Sequence, residues 1–282
     1  TVGGQVQEGD IVKVTLGGHH YETKVEAGNK WSVNVTGSDV LHADEATATV
    51  TTSYSSHNAT ASSDENYQVE INADVTIDSI GGDNVINNAE SHTKVPVTGT
   101  VGGDVKAGDT VTVSVDGKEI GQATVESHNG KLTWTAEVDG SVLSSANKDS
   151  VTATVTTKDE ADHSATATDN HDYQVDTEIT AHITITSIAT DDNITGPDSE
   201  HTQAIIGTVS GDVKAGDIVT VTLDGQQLGT AEVQADKSWR LSVDGKILLD
   251  AKADNVTASV AITDAAGNHA SDTDTHNYTV DV

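Results

Sequence analysis

Apolar and polar residues alternate along most of this chain, in short runs separated by Asp, Asn and Gly. Strict alternation predicts strands that bury one face, and about seven such runs per hundred residues predict a β-sandwich. In the middle third the runs are VTIDSI (75–80), VPVTGTV (95–101), TVTVSV (110–115), EIGQATVES (119–127), LTWTAEV (132–138), SVTATVTT (150–157) and ATATDNHDYQV (165–175). No stretch has a sustained helical period, and only SSANKD (144–149) is expected to form a short helical turn.

The same pattern occurs three times. The heptapeptide GDVKAGD stands at 103–109 and again at 211–217, and GQVQEGD stands at 4–10. Each copy is followed by one tryptophan and closes on Tyr-x-Val, with the tyrosines 106 and 105 residues apart. That spacing is the size of one sandwich domain. The sequence therefore predicts an all-β chain of three tandem immunoglobulin-like β-sandwich domains in an elongated array: residues 1–71, 72–178 and 179–282, hereafter the first, second and third repeats.

The first repeat is shorter than the other two. Thr1 aligns with Thr100 and Thr208, so the leading strand and the acidic loop after it have no counterpart in the first repeat. We expect an exposed sheet edge there, because nothing replaces the missing strand. The chain is expected to be a soluble interior piece or a mature fragment, since residues 1–10 lack the basic and apolar regions of a signal peptide. The linkers near 72–73 and 178–181 are short and lack Gly and Pro, so they are not flexible tethers.

The charge balance excludes several classes of partner. The chain has 45 acidic and 14 basic residues, a formal net charge of −31. Nucleic-acid binding needs a basic surface, and so does adsorption to anionic lipid, so neither is expected. No apolar run approaches the ~18 residues of a membrane helix, so direct membrane insertion is not expected either. There is no cysteine, which excludes disulfides and thiol chemistry. Such a charge suits a chain that binds cations.

The sequence does not favour an enzyme. It lacks the GxSxG, HExxH, GxxxxGK[ST] and GxGxxG motifs. A catalytic site is normally unique in a chain, whereas the polar features here recur in each repeat. We therefore expect a non-enzymatic protein.

The recurring acidic loops are the candidate metal sites. One set follows the first strand of a repeat, a second precedes the last strand, and a third lies just after it. The candidate ligands are Asp83, Asn84, Glu90, Asp159, Asp162, Asp176, Asp191, Asp192, Asp264 and Asn268. Ca²⁺ takes six to eight oxygen ligands from flexible loops, which this composition offers. Asp, Asn and Gly are also the best turn formers, and that alternative stays open for any single loop.

Topology predicts which of these loops meet. With strands alternating in direction, the loop before the last strand and the end of the previous repeat lie at the same pole. Asp176 is then placed to share an ion with Asp264 and Asn268, and Glu70 with the loop 159–162. The loops at Asp83 and Asp191 lie at the opposite pole and face the following repeat. The corresponding first-repeat loop, SYSSHN (53–58), has no carboxylate, which places any site there in doubt.

Aromatic residues and histidines recur as well. Each of Trp31, Trp134 and Trp239 lies in an alternating strand, so a buried core position is favoured over a sugar-binding platform. The closing tyrosines are expected to pack with their hydroxyls bonded. The sequence aligns His57, His163 and His269 at one loop position. Zinc binding or titration near pH 6 is the functional interpretation, and a solvated loop histidine is the favoured one.

The alternating strands, the GDVKAGD turn, the DAAGN loop at 264–268 and the closing Tyr-x-Val-Asp resemble bacterial immunoglobulin-like repeats. Such repeats occur in giant Gram-negative surface adhesins and biofilm-associated proteins, including the RTX adhesins. The resemblance implies type I secretion, retention at the bacterial cell surface, and many stacked repeats stiffened by Ca²⁺ at their junctions. It implies Asp264, Asn268 and Asp176 as calcium ligands. The GGxGxDxUx nonapeptides of the RTX secretion end are absent, so this segment is not expected to be that end.

Two functions follow from the resemblance. The first is a non-enzymatic extender whose partners are neighbouring repeats, projecting a tip for cell adhesion or biofilm formation while other parts of the parent protein bind the host or surface ligand. The alternative is a module that itself binds a glycan or protein. That alternative requires a feature unique to one repeat, and the candidates are His19, His20, Tyr21 and Tyr54.

Overall fold

The computed structural model of the protein describes residues 1–281, most of which lie in β-strands. The expected all-β fold of tandem immunoglobulin-like sandwiches is confirmed. The first repeat has β1 (Ile11–Leu16), β2 (His19–Lys24), β3 (Glu45–Tyr54) and β4 (His57–Asn66). The second has β5 (Ala73–Ile80), β6 (Val85–Ile86), β7 (Lys94–Gly103), β8 (Thr110–Val115), β9 (Lys118–Thr124), β10 (Glu126–His128), β11 (Lys131–Asp139), β12 (Ser150–Lys158), β13 (Ser164–Asp172) and β14 (Gln174–Val175). The third has β15 (Ala181–Ile188), β16 (Asn193–Thr195), β17 (Thr202–Gly211), β18 (Ile218–Leu223), β19 (Gln226–Glu232), β20 (Ser238–Asp244), β21 (Asn255–Thr263), β22 (His269–Asn277) and β23 (Thr279–Asp281).

Short helices join some of the strands. They are α1 (Gly37–Leu41), α2 (Gly140–Ser144), α3 (Gly245–Leu249) and the 3₁₀ turns Glu90–His92 and Asp198–Glu200. The helical turn expected at 144–149 is displaced, because α2 begins at Gly140 and ends at Ser144. Glycine begins this helix because a Cβ at Gly140 would lie 1.9 Å from the carbonyl oxygen of Glu90. The helix packs there against the 3₁₀ turn Glu90–His92 and against β6.

The chain folds as two compact units. One comprises Thr1–Ser79, Pro96–Glu137 and Ser150–His171, and the other comprises Ile80–Val95, Val138–Asp149 and Asp172–Val282, of which residues up to 281 are described. The boundary between the units runs through the second repeat. The division into three domains at residues 71 and 178 therefore stays a prediction.

Three four-stranded sheets have most of their residues in the first unit. Their strand orders are β2-β1-β3-β4, β10-β11-β7-β5 and β13-β12-β8-β9. In the first of these sheets Val12 pairs with Val50 and Val14 with Ala48, so the alternating apolar residues share one face. Its core is small, because the buried members are Val12, Val14, Val25 and Val50. Trp31 and Val33 pack on this core but are not in strands.

The second unit contains a complete sandwich. The sheets β15-β17-β20 and β19-β18-β21-β22 enclose one continuous core. Trp239 is 1% exposed at its centre, which confirms the core position expected for it. The ring lies against Gly207 on the neighbouring strand, where a Cβ would come within 2.5 Å of the indole. The glycine before Thr208 therefore makes room for the tryptophan.

The closing strand is divided at its tyrosine. Residues 165–175 were expected to form one strand, but β13 ends at Asp172 and β14 begins at Gln174. The buried Tyr173 causes the break, because its hydroxyl donates to the carbonyl of Leu143 at 2.8 Å. β14 then pairs in parallel with β6, and β23 pairs in the same way with β16. The first repeat has no counterpart of β6, and residues 67–72 form no strand.

Candidate calcium sites at the acidic loops

The second unit holds an acidic cavity of about 290 Å³ where the second repeat passes into the third. Its lining residues are Asp176, Glu178, Ile179, Asp212, Lys214, Asp217, Ile262, Thr263 and Asp264. Five of them carry carboxylates and one carries an ammonium group. Asp176 and Asp264 were predicted to lie together, and the structure brings them to this cavity. Asp212 and Asp217 were not among the predicted ligands, although the repeated GDVKAGD turn contains both of them.

The turn aspartates also fix the backbone around the cavity. One carboxylate oxygen of Asp212 accepts from the backbone nitrogen of Thr180 at 2.8 Å and from the Thr180 hydroxyl at 3.0 Å. Asp217 accepts from the backbone nitrogen of Lys214 at 2.6 Å. Linker and turn are therefore joined by charge-assisted hydrogen bonds, which are stronger than neutral ones.

Asn268 connects three segments beside this cavity and is only 4% exposed. Its side-chain nitrogen donates to the carbonyl of Asp176 at 2.7 Å and to the carboxylate of Asp264 at 2.9 Å. Its side-chain oxygen accepts from the backbone nitrogen of Asn88 at 2.7 Å, while Asn87 donates to the carbonyl of Ala266 at 3.0 Å. The amide of Asn268 thus acts as a hydrogen-bonding connector, and its oxygen is already engaged.

The contact at Asn88 bears on the predicted topology. Asn87 and Asn88 belong to the loop that follows the first strand of the second repeat, and they meet the loop 264–268 of the third. The sequence argument placed the loop at Asp83 at the pole facing the following repeat, and these hydrogen bonds agree with that placement.

Hydrogen bonds and charge repulsion shift the pKa values of the cavity carboxylates in opposite directions. The hydrogen bond from the Asn268 side chain holds the pKa of Asp264 below its usual range. The backbone and hydroxyl bonds from Thr180 lower the pKa of Asp212, and the negative charge of Asp264 opposes that shift. These carboxylates stay ionised near neutral pH and repel one another, so a cation between them lowers the electrostatic energy.

The donor set fits calcium in its chemistry. Carboxylate and carbonyl oxygens are the ligands that Ca²⁺ prefers. The carboxylates surround the cavity without converging, because no three His, Cys, Asp or Glu side chains within residues 1–281 are grouped closely enough to hold an ion.

The first unit has a related cavity of about 420 Å³ at the passage from the first to the second repeat. Its lining residues are Leu41, Val69, Glu70, Ile71, Asp104, Lys106, Lys158, Asp159 and Glu160. Glu70 and Asp159 are together, as predicted. Asp162 is not part of the lining; its exposed carboxylate lies 3.3 Å from the ammonium of Lys158. Two lysines reduce the negative charge here, compared with one in the cavity of the second unit.

Asp159 repeats the role of Asp264 with a different partner. It accepts from the backbone nitrogen of His163 at 3.0 Å, and its second oxygen lies 2.7 Å from the Nδ1 atom of that histidine. Burial raises the pKa of Asp159, but the bonds from His163 and Ala161 outweigh burial and lower it. His163 therefore occupies the place of Asn268. Its alignment with His269 was wrong, because the loops 159–163 and 264–268 are equally long and His269 begins β22, as Ser164 begins β13.

The loop after the first strand in the second repeat uses its polar groups to form turns. Asp83 accepts from the backbone nitrogen of Val85 at 3.0 Å, and Asn84 accepts from Ile80 at 2.9 Å. Glu90 accepts from the backbone nitrogen of Asn87 at 3.0 Å and closes the 3₁₀ turn. All three candidate ligands already accept backbone hydrogen bonds, which is the turn chemistry kept as an alternative.

The matching loop of the third repeat is built alike. Asp191 accepts from the backbone nitrogen of Asn193 at 3.3 Å, and Asp192 accepts from Ile188 at 2.7 Å. The other oxygen of Asp192 lies 3.1 Å from the Nε2 atom of His276. Burial raises the pKa of Asp192, but these two contacts outweigh it and lower the pKa. Asp198 takes the role of Glu90 here, accepting from the backbone nitrogen of Thr195 at 2.9 Å.

The residues unique to the first repeat form no exposed aromatic cluster. His19 lies 2.6 Å from the carboxylate of Asp39, and the hydroxyl of Tyr21 donates to the same carboxylate. His20 bonds to Thr15 at 3.0 Å. Tyr54 is 62% exposed at the tip of the β3–β4 hairpin. The cluster around Asp39 is engaged in local contacts.

The comparisons with known proteins bear on what these loops do. No protein-family model matches the chain, and no curated protein sequence matches it either. Among solved structures it is similar to a Ca²⁺-stabilised adhesin with which an Antarctic bacterium binds ice: identity is 34% and the TM-score 0.64, over 99% of this chain and 67% of that one. It is also similar to part of a 1.5-MDa bacterial ice-binding adhesin studied for its retention at the host cell surface, with 31% identity and a TM-score of 0.66 over 99% of this chain and 88% of that one.

The chain belongs to the immunoglobulin-like repeats of bacterial adhesins. The resemblance inferred from the GDVKAGD and DAAGN motifs is thereby confirmed. Both similar structures are adhesin domains, which agrees with the non-enzymatic class expected for this chain. Within the described part of this adhesin chain, no helix is both long and apolar enough to cross a membrane.

Proposed function

We propose that this chain is an extender segment of a bacterial surface adhesin, and that Ca²⁺ in its acidic cavities stiffens the passage from one repeat to the next. Its partners are the neighbouring repeats of the same polypeptide. The parent protein is exported by a type I route and is retained at the cell surface. The segment carries a ligand-binding tip away from the cell for adhesion or biofilm formation.

The observation that carries this proposal is the cavity of the second unit. Five acidic residues, Asp176, Glu178, Asp212, Asp217 and Asp264, line about 290 Å³ between the strand that ends the second repeat and the strand that begins the third. Their mutual repulsion favours opening of the linker, and a bound dication reverses that preference. The similar adhesin described as Ca²⁺-stabilised supports calcium as that ion.

The two cavities should not bind equally well. The cavity at Asp264 has one lysine among its lining residues, whereas the cavity at Asp159 has Lys106 and Lys158. Lys106 also donates to the carbonyl of Lys158 at 2.6 Å, which holds its charge at the cavity. Ca²⁺ affinity depends on the net ligand charge, so the cavity at Asp264 is the tighter site.

The test is a calcium titration of the whole chain measured by calorimetry. The unfolding temperature is then compared in calcium and in excess chelator. We expect saturable binding and an unfolding temperature several degrees higher with calcium, because an ion that binds only the folded state stabilises it. Small-angle scattering in the same buffers should show a longer maximum dimension with calcium.

The double variant Asp217→Asn, Asp264→Asn removes two charges at the cavity. It should lose the tighter binding event and most of the calcium-dependent rise in unfolding temperature. The variant Glu232→Gln, Asp250→Asn removes two charges elsewhere in the third repeat and should behave as the unchanged protein. If both variants keep the full calcium response, the cavity is not the site and the acidic loops are ordinary turns.

A further inference from the structure

The hairpin that leads to the core tryptophan is longest in the second repeat. Val125 and Trp134 are nine positions apart, whereas the matching Val233 and Trp239 of the third repeat are six apart. The added residues lengthen β10 and the start of β11, which pair in register from residues 126 and 133 to residues 128 and 131. Residues 126–131 are all exposed. The end of this hairpin is therefore held by its own ladder and turn rather than by packing.

The turn of the hairpin consists of Asn129 and Gly130. Their φ angles are 52° and 80°, and two positive values in succession define a type I′ turn, which favours the Asn-Gly pair. Asn129 is the only asparagine in the sequence that is followed by glycine. A Cβ at Gly130 would have no atom within 4 Å. The backbone nitrogen of Gly130 is therefore open to approach from the side chain before it.

A second hairpin turn shows what is unusual here. The turn Asp224-Gly225 has nearly the same φ angles, 53° and 75°. Its carboxylate accepts from the backbone nitrogens of Lys252 and Ala253 at 2.8 and 2.9 Å, so that side chain is held away from its own turn. Within residues 1–281, neither the side chain of Asn129 nor the backbone nitrogen of Gly130 forms a hydrogen bond. The Asn129 amide is therefore free to rotate toward that nitrogen.

Two other asparagines have positive φ angles and lack this combination. Asn84 is half-buried, and its side-chain oxygen accepts from the backbone nitrogen of Ile80 at 2.9 Å. Asn29 lies in the equivalent hairpin of the first repeat, where it is exposed at a φ of 58° but is followed by Lys30. A side chain on the following residue hinders approach to its nitrogen, and glycine has none. Asn129 alone unites an exposed turn, a free side chain and a glycine.

We propose that Asn129 is a site of spontaneous deamidation, and that its isoaspartate product unpairs β10 from β11. The backbone nitrogen of Gly130 gives its proton to water or hydroxide and attacks Cγ of Asn129. The new C–N bond closes a cyclic imide, and the side-chain nitrogen takes up a proton and leaves as ammonia. Water then opens the imide at one of its two carbonyls, which yields aspartate or isoaspartate. Water is the only co-reactant, and no atom is oxidised or reduced.

The isoaspartate product changes the backbone itself. The main chain then runs through the β-carboxyl carbon and gains a methylene group, which a two-residue turn of fixed geometry does not accommodate. β10 is the edge strand of its sheet, and all three of its residues are exposed, so no packing opposes the loss of its ladder. The buried Val125 and Trp134 limit the opening to the hairpin. Loss of β10 leaves the edge of β11 unpaired, where another extended segment can pair.

The test is to incubate the whole folded chain at mildly alkaline pH and to follow its peptides by mass spectrometry. We expect Asn129 to be converted at least tenfold faster than Asn29, with isoaspartate identified by fragmentation and by enzymatic methylation of its carboxyl group. Hydrogen exchange at the amides of residues 126–133 should become faster in the converted chains. Exchange in β9 and β12 should stay as it was, because these strands belong to the other sheet.

Two variants separate charge from backbone geometry. Asn129→Asp adds the same negative charge in a turn of the Asp-Gly type, which the chain already uses at 224–225, and should keep β10 protected from exchange. Asn129→Gln keeps the amide but lengthens the side chain, so that attack would close a larger ring. It should release no ammonia from this hairpin over the time in which the unchanged chain is converted.

Three results would overturn the proposal. The first is conversion of Asn129 no faster than that of Asn29, and the second is conversion that occurs only after the chain is unfolded in denaturant. The third is isoaspartate at Asn129 with unchanged exchange in β10, which would refute the unpairing. Each result is independent of the calcium titration, so this inference and the proposed function fail separately.

Discussion

The first and third repeats build the same four-stranded sheet from nearly the same pattern, yet β3 and β4 are less buried than β21 and β22. In β1 and β3 the inward residues are Val12, Val14, Ala48 and Val50, and in β18 and β21 they are Val219, Val221, Ala258 and Val260. The residues of the third repeat are at most 2% exposed, because a second sheet with Trp239 covers them. Ala48 in the first repeat is only half-buried.

This difference shows that the alternating pattern encodes the strands, while burial comes from what packs on them. β1 to β4 pair in continuous register over their whole length. Sheet hydrogen bonding and the tight turns are therefore local properties of each hairpin. The burial of a sheet face, and the stability that this burial contributes, depend on segments distant in sequence that pack on the face.

The largest expected contrast concerns the tryptophans. Trp239→Ala removes a ring from a closed core and should lower the free energy of opening of the third repeat by about 3–5 kcal/mol. Trp31→Ala removes a partly exposed ring and should cost the first repeat about 1 kcal/mol, because less apolar surface returns to water. Native-state hydrogen exchange, followed separately on the amides of β18 and β1, measures both. Equal losses in the two repeats would mean that Trp31 is as well covered as Trp239.

A smaller contrast concerns the inward polar residues of the last long strand. Asp274→Ala leaves the backbone nitrogen of Ile185 without its acceptor and should cost the third repeat about 1–2 kcal/mol. Ser63→Ala, at the same distance before the closing tyrosine, should leave the first repeat unchanged, since no strand among residues 1–281 lies across it. The measurement is hydrogen exchange at β15 and at β4. A loss at Ser63 as large as that at Asp274 would show that Ser63 already holds a partner.

Next in size is the alkaline limit of stability. Burial, followed by the charges of Asp254 and Asp224, raises the pKa of Tyr278 to about 12. The stability that its neutral hydroxyl contributes is fully present below the ordinary value near 10 and is lost as the pH rises toward 12. Tyr278→Phe should cost about 1 kcal/mol at neutral pH, because the bond to Leu248 is lost, and should flatten the decline above pH 10. The test is the unfolding temperature measured as a function of pH, with Tyr67→Phe as the matched variant. A decline that is unchanged by Tyr278→Phe would place its cause elsewhere.

The smallest effects belong to the outer faces, where the two repeats are alike. Thr51 and Thr60 are joined at 3.1 Å in the first repeat, and Thr257 and Thr275 at 2.9 Å in the third. Replacing one partner by alanine should cost about 0.3 kcal/mol in either repeat, because exposed cross-strand pairs contribute little. Chemical denaturation of the two variants measures this. A large difference between the two variants would mean that the two repeats also differ on their outer faces.

The acidic loops illustrate how far sequence reasoning reached at the candidate site. Asp176 and Asp264 were predicted to meet because strand direction fixes the pole at which each loop lies, and the cavity contains both. The predicted ligand Asn268 bonds instead to Asp176, Asp264 and Asn88, because a buried amide must satisfy its own donors and acceptors. Asp212 was not predicted as a ligand, because the GDVKAGD turn that contains it was interpreted only as a structural motif.

The sequence by itself determined the class of the fold, the strands, the tandem repeat and the adhesin family. Each of these follows from local periodicity or from a motif repeated along the chain. Only the tertiary structure decided that Tyr173 divides its strand and that α2 begins at Gly140. These features depend on contacts between residues that lie far apart in sequence, and local alternation carries no information about which segments will meet.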